Sequence, residues 1–123
     1  MRVLVGTDII EINRIMKLVD SKEKNALKSI FTLREIEYCE ARKVSKYQSY
    51  AARFAAKEAI YKALSEFVPE KYSWTDFEVI NSEKGKPEVV LGFEIKGLES
   101  VEISLSHCKE YAVAYVSAII KEN

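Results

Sequence analysis

Asp8 closes a short apolar run, Val3-Leu4-Val5-Gly6-Thr7, and Glu58 sits within an alanine-rich stretch that also carries Arg53, Lys57 and Lys62. Two carboxylates on rigid elements with cations nearby suit Mg2+ bound to a phosphate ligand. Mg2+ takes oxygen ligands, keeps waters, and uses only one or two protein carboxylates. Lys and Arg then neutralise the remaining phosphate oxygens. Spacing alone does not bring Asp8 and Glu58 together. Glu58 and Lys62, four apart, are equally readable as a surface ion pair worth a few tenths of a kcal/mol. His107 is the single histidine. An imidazole can donate to phosphate near neutrality, but a lone histidine at a strand end is more often structural or merely exposed. The chain has no G-x-G-x-x-G, no P-loop and no G-x-S-x-G. Cys39 and Cys108 form no C-x-x-C pair, so zinc is unsupported, and they fit reduced thiols in a cytoplasmic protein.

The elements that must position these groups can be read from periodicity. Val3 to Val5 form a β-type run that Gly6 is expected to end. Ile9, Ile12, Ile15, Met16 and Val19 recur at helical spacing, with Arg14 and Lys17 off that stripe. Thr32 and Glu35 make a capping box for a second helix that ends near Arg42. The clearest helix runs from about Ser49 to Phe67. There Ala52, Ala55, Ala56, Ala59 and Ala63 share one arc, so its backbone can lie close against another element. After Pro69 the pattern turns to strands. Phe77–Ile80 and Glu88–Leu91 flank a loop with Gly85 and read as a hairpin. Val101–Cys108 and Tyr111–Ile120 follow, joined tightly at Lys109-Glu110. The last strand is apolar on both faces, which makes it central or part of a subunit interface. The class is α+β, with helices first and a mainly antiparallel sheet after them.

With 123 residues, 48% apolar and 31% charged, the chain is expected to form one domain over residues 1–123. Nothing approaches the roughly 20 apolar residues of a membrane span, and the first residues lack the pattern of a signal peptide. Charges balance to zero, which disfavours a nucleic-acid coat. They are unevenly spread, however. Residues 1–62 hold thirteen Lys and Arg against eight acids, and within 41–62 Glu58 is the only acid. That imbalance suggests an anionic partner for the N-terminal half.

Several blocks resemble the holo-acyl-carrier-protein synthases, the small 4′-phosphopantetheinyl transferases. Gly6-Thr7-Asp8-Ile9-Ile10-Glu11-Ile12 is similar to their opening motif, and Phe31-Thr32 with Glu35, Tyr38 and Cys39 to their second. Arg53-Phe54-Ala55-Ala56-Lys57-Glu58-Ala59 with Lys62-Ala63-Leu64 resembles their central helix. Asn81, Gly85, Lys86 and Pro87 fit their hairpin, and Ser104-Leu105-Ser106-His107 their penultimate strand. The blocks occur in family order over nearly the whole chain. The resemblance implies the 4′-phosphopantetheinyl transferase fold and transfer of phosphopantetheine from coenzyme A to a serine of apo-acyl-carrier protein, leaving 3′,5′-ADP. It implies fatty-acid synthesis as the setting, Asp8 and Glu58 as Mg2+ ligands, and a homotrimer with a site at each subunit interface.

On that footing Lys62 contacts the pyrophosphate. Arg53, Lys57 and His107 hold phosphate groups, and Asn81, Gly85 and Pro87 shape the adenosine end. The serine proton passes to Glu58 or to a water, and the water is favoured because a carboxylate engaged by a cation is a weakened base. Arg14 matches the family's carrier-contacting position, and Lys17, Lys24 and Lys28 extend it, since basic residues steer acidic helical carriers. Three departures stand out. Ser65-Glu66-Phe67 replaces a glycine-rich turn, Thr7 replaces an aliphatic residue, and Cys108 follows the histidine. The alternatives are another Mg2+-dependent nucleotide phosphotransferase, a non-catalytic module that grips acidic carriers, and a structural oligomer subunit.

Overall fold

The structure is a computed structural model, and it describes residues 1–122. Five strands and four α-helices follow in the order β1 (Arg2–Glu11), α1 (Ile12–Asp20), α2 (Lys24–Ile30), α3 (Leu33–Ala41), α4 (Lys46–Leu64), β2 (Phe77–Asn81), β3 (Pro87–Leu91), β4 (Leu98–His107) and β5 (Tyr111–Ile120). An antiparallel sheet has the order β1-β5-β4, and β2-β3 is a separate hairpin. Both ends of the chain thus meet in one sheet, with β5 at its centre, where its two apolar faces place it.

α4 packs across β1 and β5. The contact is made by small residues. Ala52, Ala55, Ala56, Ala59 and Ala63 are buried on the helix, and Ala112, Ala114 and Ala118 on the strand. Gly6 belongs to the same contact. A Cβ there would press onto the Ala59 carbonyl and lie 2.9 Å from the Ala63 nitrogen. Gly6 therefore does not end the strand. It lets β1 run on to Glu11 beneath the helix. Ile9 accordingly leaves the helical stripe assigned to it and projects from β1, 62% exposed.

The capping box expected at Thr32 is present, with Thr32 Oγ1 accepting from the Glu35 amide and Glu35 Oε1 accepting from the Thr32 amide. α2 was not legible, because its seven residues bury only Leu27 and lack a side-chain cap. α4 begins earlier than its alanine stripe predicts and stops at Leu64, where Phe67 N–H bonds the Leu64 carbonyl (2.8 Å). Tyr61, Tyr72, Trp74 and Phe77 pack edge to face and stacked beside the end of α4, and they hold the 65–76 segment against it.

Candidate active site

The sequence-predicted residues fall into two groups on opposite flanks of α4. The first lies on the β1 side. Asp8 alternates with the exposed Thr7 and Ile9, so its side chain points toward the helix, opposite the buried Ala114. Lys62 reaches back from α4 and donates to Asp8 Oδ1 (3.0 Å) and to the Thr7 carbonyl (3.1 Å). Glu58, one turn before Lys62, is half-buried. Burial pushes its carboxyl above the usual range, the nearby charge of Asp8 pushes it further, and Lys62 opposes both. Two carboxylates whose charges act on each other beside a single ammonium leave an excess of negative charge that a further cation would neutralise. An all-oxygen pair is also the donor set that Mg2+ takes.

The second group lines a cleft of about 320 Å3 on the β4 side, among Tyr38, Arg42, Arg53, Asn81, Pro87 and His107. Arg53 is its organising residue. It is 4% exposed, and its guanidinium lies 4.1 Å from the centre of the Tyr38 ring, within cation–π range. It donates to Ser49 Oγ (3.2 Å) and to Asn81 Oδ1. Its Nε is buried with no partner among the described residues. An orphaned donor on a buried cation is costly, and the residue lines the cleft with its charge. Asn81 is held in turn by donating to the Gly85 carbonyl (3.0 Å). Gly85, at φ 82°, makes the hairpin turn in a conformation that suits glycine. His107 ends β4, exposed at the cleft mouth.

Lys57 is not brought to either group, and its expected phosphate contact is corrected. Its ammonium is fully buried. It pairs with Glu35 Oε1 (2.8 Å) and donates to the carbonyls of Trp74 (3.1 Å) and Phe77 (2.8 Å). Three acceptors use all three protons. Burial lowers its proton affinity, and the charge of Glu35 works against that.

Arg14, Lys17, Lys24 and Lys28 are exposed on α1 and α2 and leave that face basic. The turn that replaces the glycine-rich one is anchored at the surface, where Arg2 pairs with Glu66 and with Glu122. The sequence does not disclose Tyr38 and Ser49 as supports of Arg53, and it marks Glu35 as a cap and as part of the family's second motif but not as the partner of Lys57. Tyr38 belongs to that motif too, but nothing in one sequence says that a tyrosine on one helix stacks on an arginine of another.

Residues 4–116 match the model of the 4′-phosphopantetheinyl transferase superfamily. The chain is 46% identical over 121 residues to a holo-[acyl-carrier-protein] synthase of Ruminiclostridium cellulolyticum, covering 94% of this chain and 90% of the relative. Among solved structures it resembles the Helicobacter pylori holo-[acyl-carrier-protein] synthase in complex with coenzyme A (TM-score 0.81, 31% identity, 94% and 100% covered). It also resembles the Bacillus anthracis holo-(acyl-carrier-protein) synthase with CoA (3′,5′-ADP) (TM-score 0.77, 37% identity, 94% of each chain). With the match spanning nearly every strand and helix that carries the two groups, the chain belongs to the 4′-phosphopantetheinyl transferase superfamily.

Proposed function

We propose that this protein transfers 4′-phosphopantetheine from coenzyme A to a serine hydroxyl of apo-acyl-carrier protein, releasing 3′,5′-ADP. The serine oxygen gives up its proton to Glu58 or to a water and forms the new P–O bond, and the bond from that phosphorus to 3′,5′-ADP breaks. The observation that supports this reading is the bond of Lys62 to Asp8 with Glu58 one helical turn away on α4, together with a separate cleft built around a buried arginine. Such a reaction depends on positioning and on neutralising charge at the pyrophosphate.

Asp8 and Glu58 would hold Mg2+, which when bound supplies charge neutralisation at the phosphoryl oxygens. Lys62 Nζ stands beside them and donates to a pyrophosphate oxygen. Arg53 and His107 receive phosphate at the other end, and Asn81, Gly85 and Pro87 border the adenosine. Arg14, Lys17, Lys24 and Lys28 attract the acidic carrier.

Arg53 and Glu58 lie about 140° apart around α4 at 100° per residue, and the sheet covers the arc between them on one side. One coenzyme A therefore spans both groups most simply when one copy's carboxylate flank faces another copy's cleft. This supports a homotrimer, a head-to-tail contact closed into a ring. Val3, Val5, Ile9, Tyr111 and Tyr115 leave the outer face of the sheet apolar and exposed, as an assembly surface does. No helix among the described residues is long and apolar enough to cross a membrane. Free Cys39 and Cys108 fit the cytoplasm, and residues 1–123 serve as one transferase domain in fatty-acid synthesis.

The test is the intact mass of a purified apo-acyl-carrier protein after incubation with this protein, coenzyme A and Mg2+. A gain of one phosphopantetheine, abolished by chelator, is expected. No gain together with no binding of coenzyme A overturns the reading.

A further inference from the structure

The ion pair between Glu35 and Lys57 is the most deeply buried pair of charges among the described residues, with both side chains at 0% exposure. Such a pair is a poor way to gain stability, because apolar residues of similar volume do as well or better. Its partners indicate another use. Glu35 Oε1 accepts from the Thr32 amide (2.9 Å) and from Lys57, and its Oε2 accepts from the Val79 amide (2.9 Å). Lys57 donates to the Trp74 and Phe77 carbonyls. The start of α3, the middle of α4 and the start of β2 are thus tied at one point. Two residues beyond Val79 on β2 is Asn81, and one turn before Lys57 on α4 is Arg53, and these two bond each other across the cleft. Beside the pair, Glu78 takes Thr32 (2.6 Å) and Arg34 (2.5 Å), so α3 also grips β2 from its outer side.

We propose that Glu35 and Lys57 are positioning residues for the adenosine end of the site: their pair fixes β2 against α4 so that Asn81 and Arg53 meet. The inference rests on the coenzyme A reading. The pair lies on the cleft flank of α4, away from Asp8, so its loss acts on nucleotide binding rather than on turnover at saturation. One well-placed hydrogen bond to a charged group is worth about tenfold in affinity.

The experiment measures the dissociation constant of 3′,5′-ADP by calorimetry, with thermal midpoint and steady-state constants, for the wild-type protein and for Glu35→Gln, Lys57→Met and their double variant. Each single variant loses stability, because one charge or one set of acceptors is left buried and unpaired. The double variant regains the part of the thermal midpoint lost to an unpaired buried charge, although the Trp74 and Phe77 carbonyls still lack their donor; 3′,5′-ADP binding stays about tenfold weaker and the KM for coenzyme A rises by the same factor. Its kcat and its KM for the carrier protein remain those of the wild type. Recovery of binding together with stability refutes the positioning role, as does a loss confined to kcat.

Glu35→Asp keeps the test decisive should the double variant fail to fold. It retains the charge but withdraws the carboxylate by one methylene, so it cannot reach both Lys57 and the Val79 amide. Weakened 3′,5′-ADP binding at a temperature where the variant is fully folded supports the proposal, and unchanged binding overturns it. Failure of the wild-type protein to bind 3′,5′-ADP defeats the coenzyme A reading and this inference with it. Binding by the wild type and equally by the double and Glu35→Asp variants defeats the inference alone.

Discussion

Gly6→Ala perturbs the contact that brings Asp8 to α4. The added methyl would lie 2.9 Å from the Ala63 nitrogen and closer still to the Ala59 carbonyl. Comfortable contact needs about 3.5 Å, and both obstacles are helix backbone, which cannot rotate aside. β1 and α4 must separate by about 1 Å. Overpacking of this kind costs about 3 kcal/mol at the upper end of its usual range. Alanine returns about 0.7 kcal/mol by restricting the unfolded chain. The net loss is roughly 2 kcal/mol, and at about 4 °C per kcal/mol for a chain this long the thermal midpoint falls about 8 °C.

The functional loss should exceed the stability loss. Asp8 follows Gly6 by two residues on the same face, and its bond to Lys62 is 3.0 Å long. Opening the gap by about 1 Å takes that bond beyond hydrogen-bonding range and draws Asp8 from Glu58. Turnover should fall about 10²-fold at temperatures where the variant is fully folded. The assay pairs thermal unfolding at fixed protein concentration with carrier modification followed by mass. A midpoint within about 2 °C of wild type with unchanged turnover would show that β1 has slack against α4 and would refute the argument.

Asp8→Ala and Glu58→Ala should each cut Mg2+-dependent turnover by about 10²-fold or more while the thermal midpoint stays near wild type; retained turnover in either defeats the ligand assignment. Arg14→Glu should raise the KM for the carrier protein, with an effect that shrinks as salt rises; a change confined to coenzyme A affinity would sink the docking role. Glu78 makes a pH prediction. Burial would raise its carboxyl, but the hydrogen bonds and charge of Arg34, the Thr32 hydroxyl and the charge of Lys57 outweigh burial and hold it below the ordinary range. A depressed native pKa adds stability that is full above the ordinary glutamate value of about 4.3 and is lost as pH falls through the native value. Glu78→Gln should therefore flatten the acid limb of the urea midpoint measured below about pH 4.3, and parallel acid limbs would refute it.

What the sequence disclosed follows from which interactions are local. The capping box at Thr32 spans three residues and is formed as read. The alanine stripe of α4 is periodic and marks a close-packed face, but its partner is fifty residues away. So Gly6 reads as a strand end in the sequence, whereas it is the other half of that contact. Residue type likewise could not separate Arg53 from Lys57. Both are cations on one helix, in one motif, and both are buried. Arg53 lines an open cleft and its side-chain partners, Ser49 and Asn81, are neutral, whereas Lys57 has every proton taken by Glu35, Trp74 and Phe77.

That difference bears on how the fold divides its charges. A cation that must bind a ligand needs a charge that no carboxylate has neutralised at a cavity wall. A cation that must hold strands in place needs all its valences filled inside. α4 carries one of each, a turn apart, and Glu58 and Lys62 stand on its far flank. A helix packed through alanines can bear both flanks because the stripe costs little width. Bulky residues there would lift the helix from β1 and β5, and Asp8 would no longer reach Lys62. The small-residue face is thus a condition of the site as much as of the core, which is why the methyl at Gly6 should be felt more strongly in turnover than in the thermal midpoint.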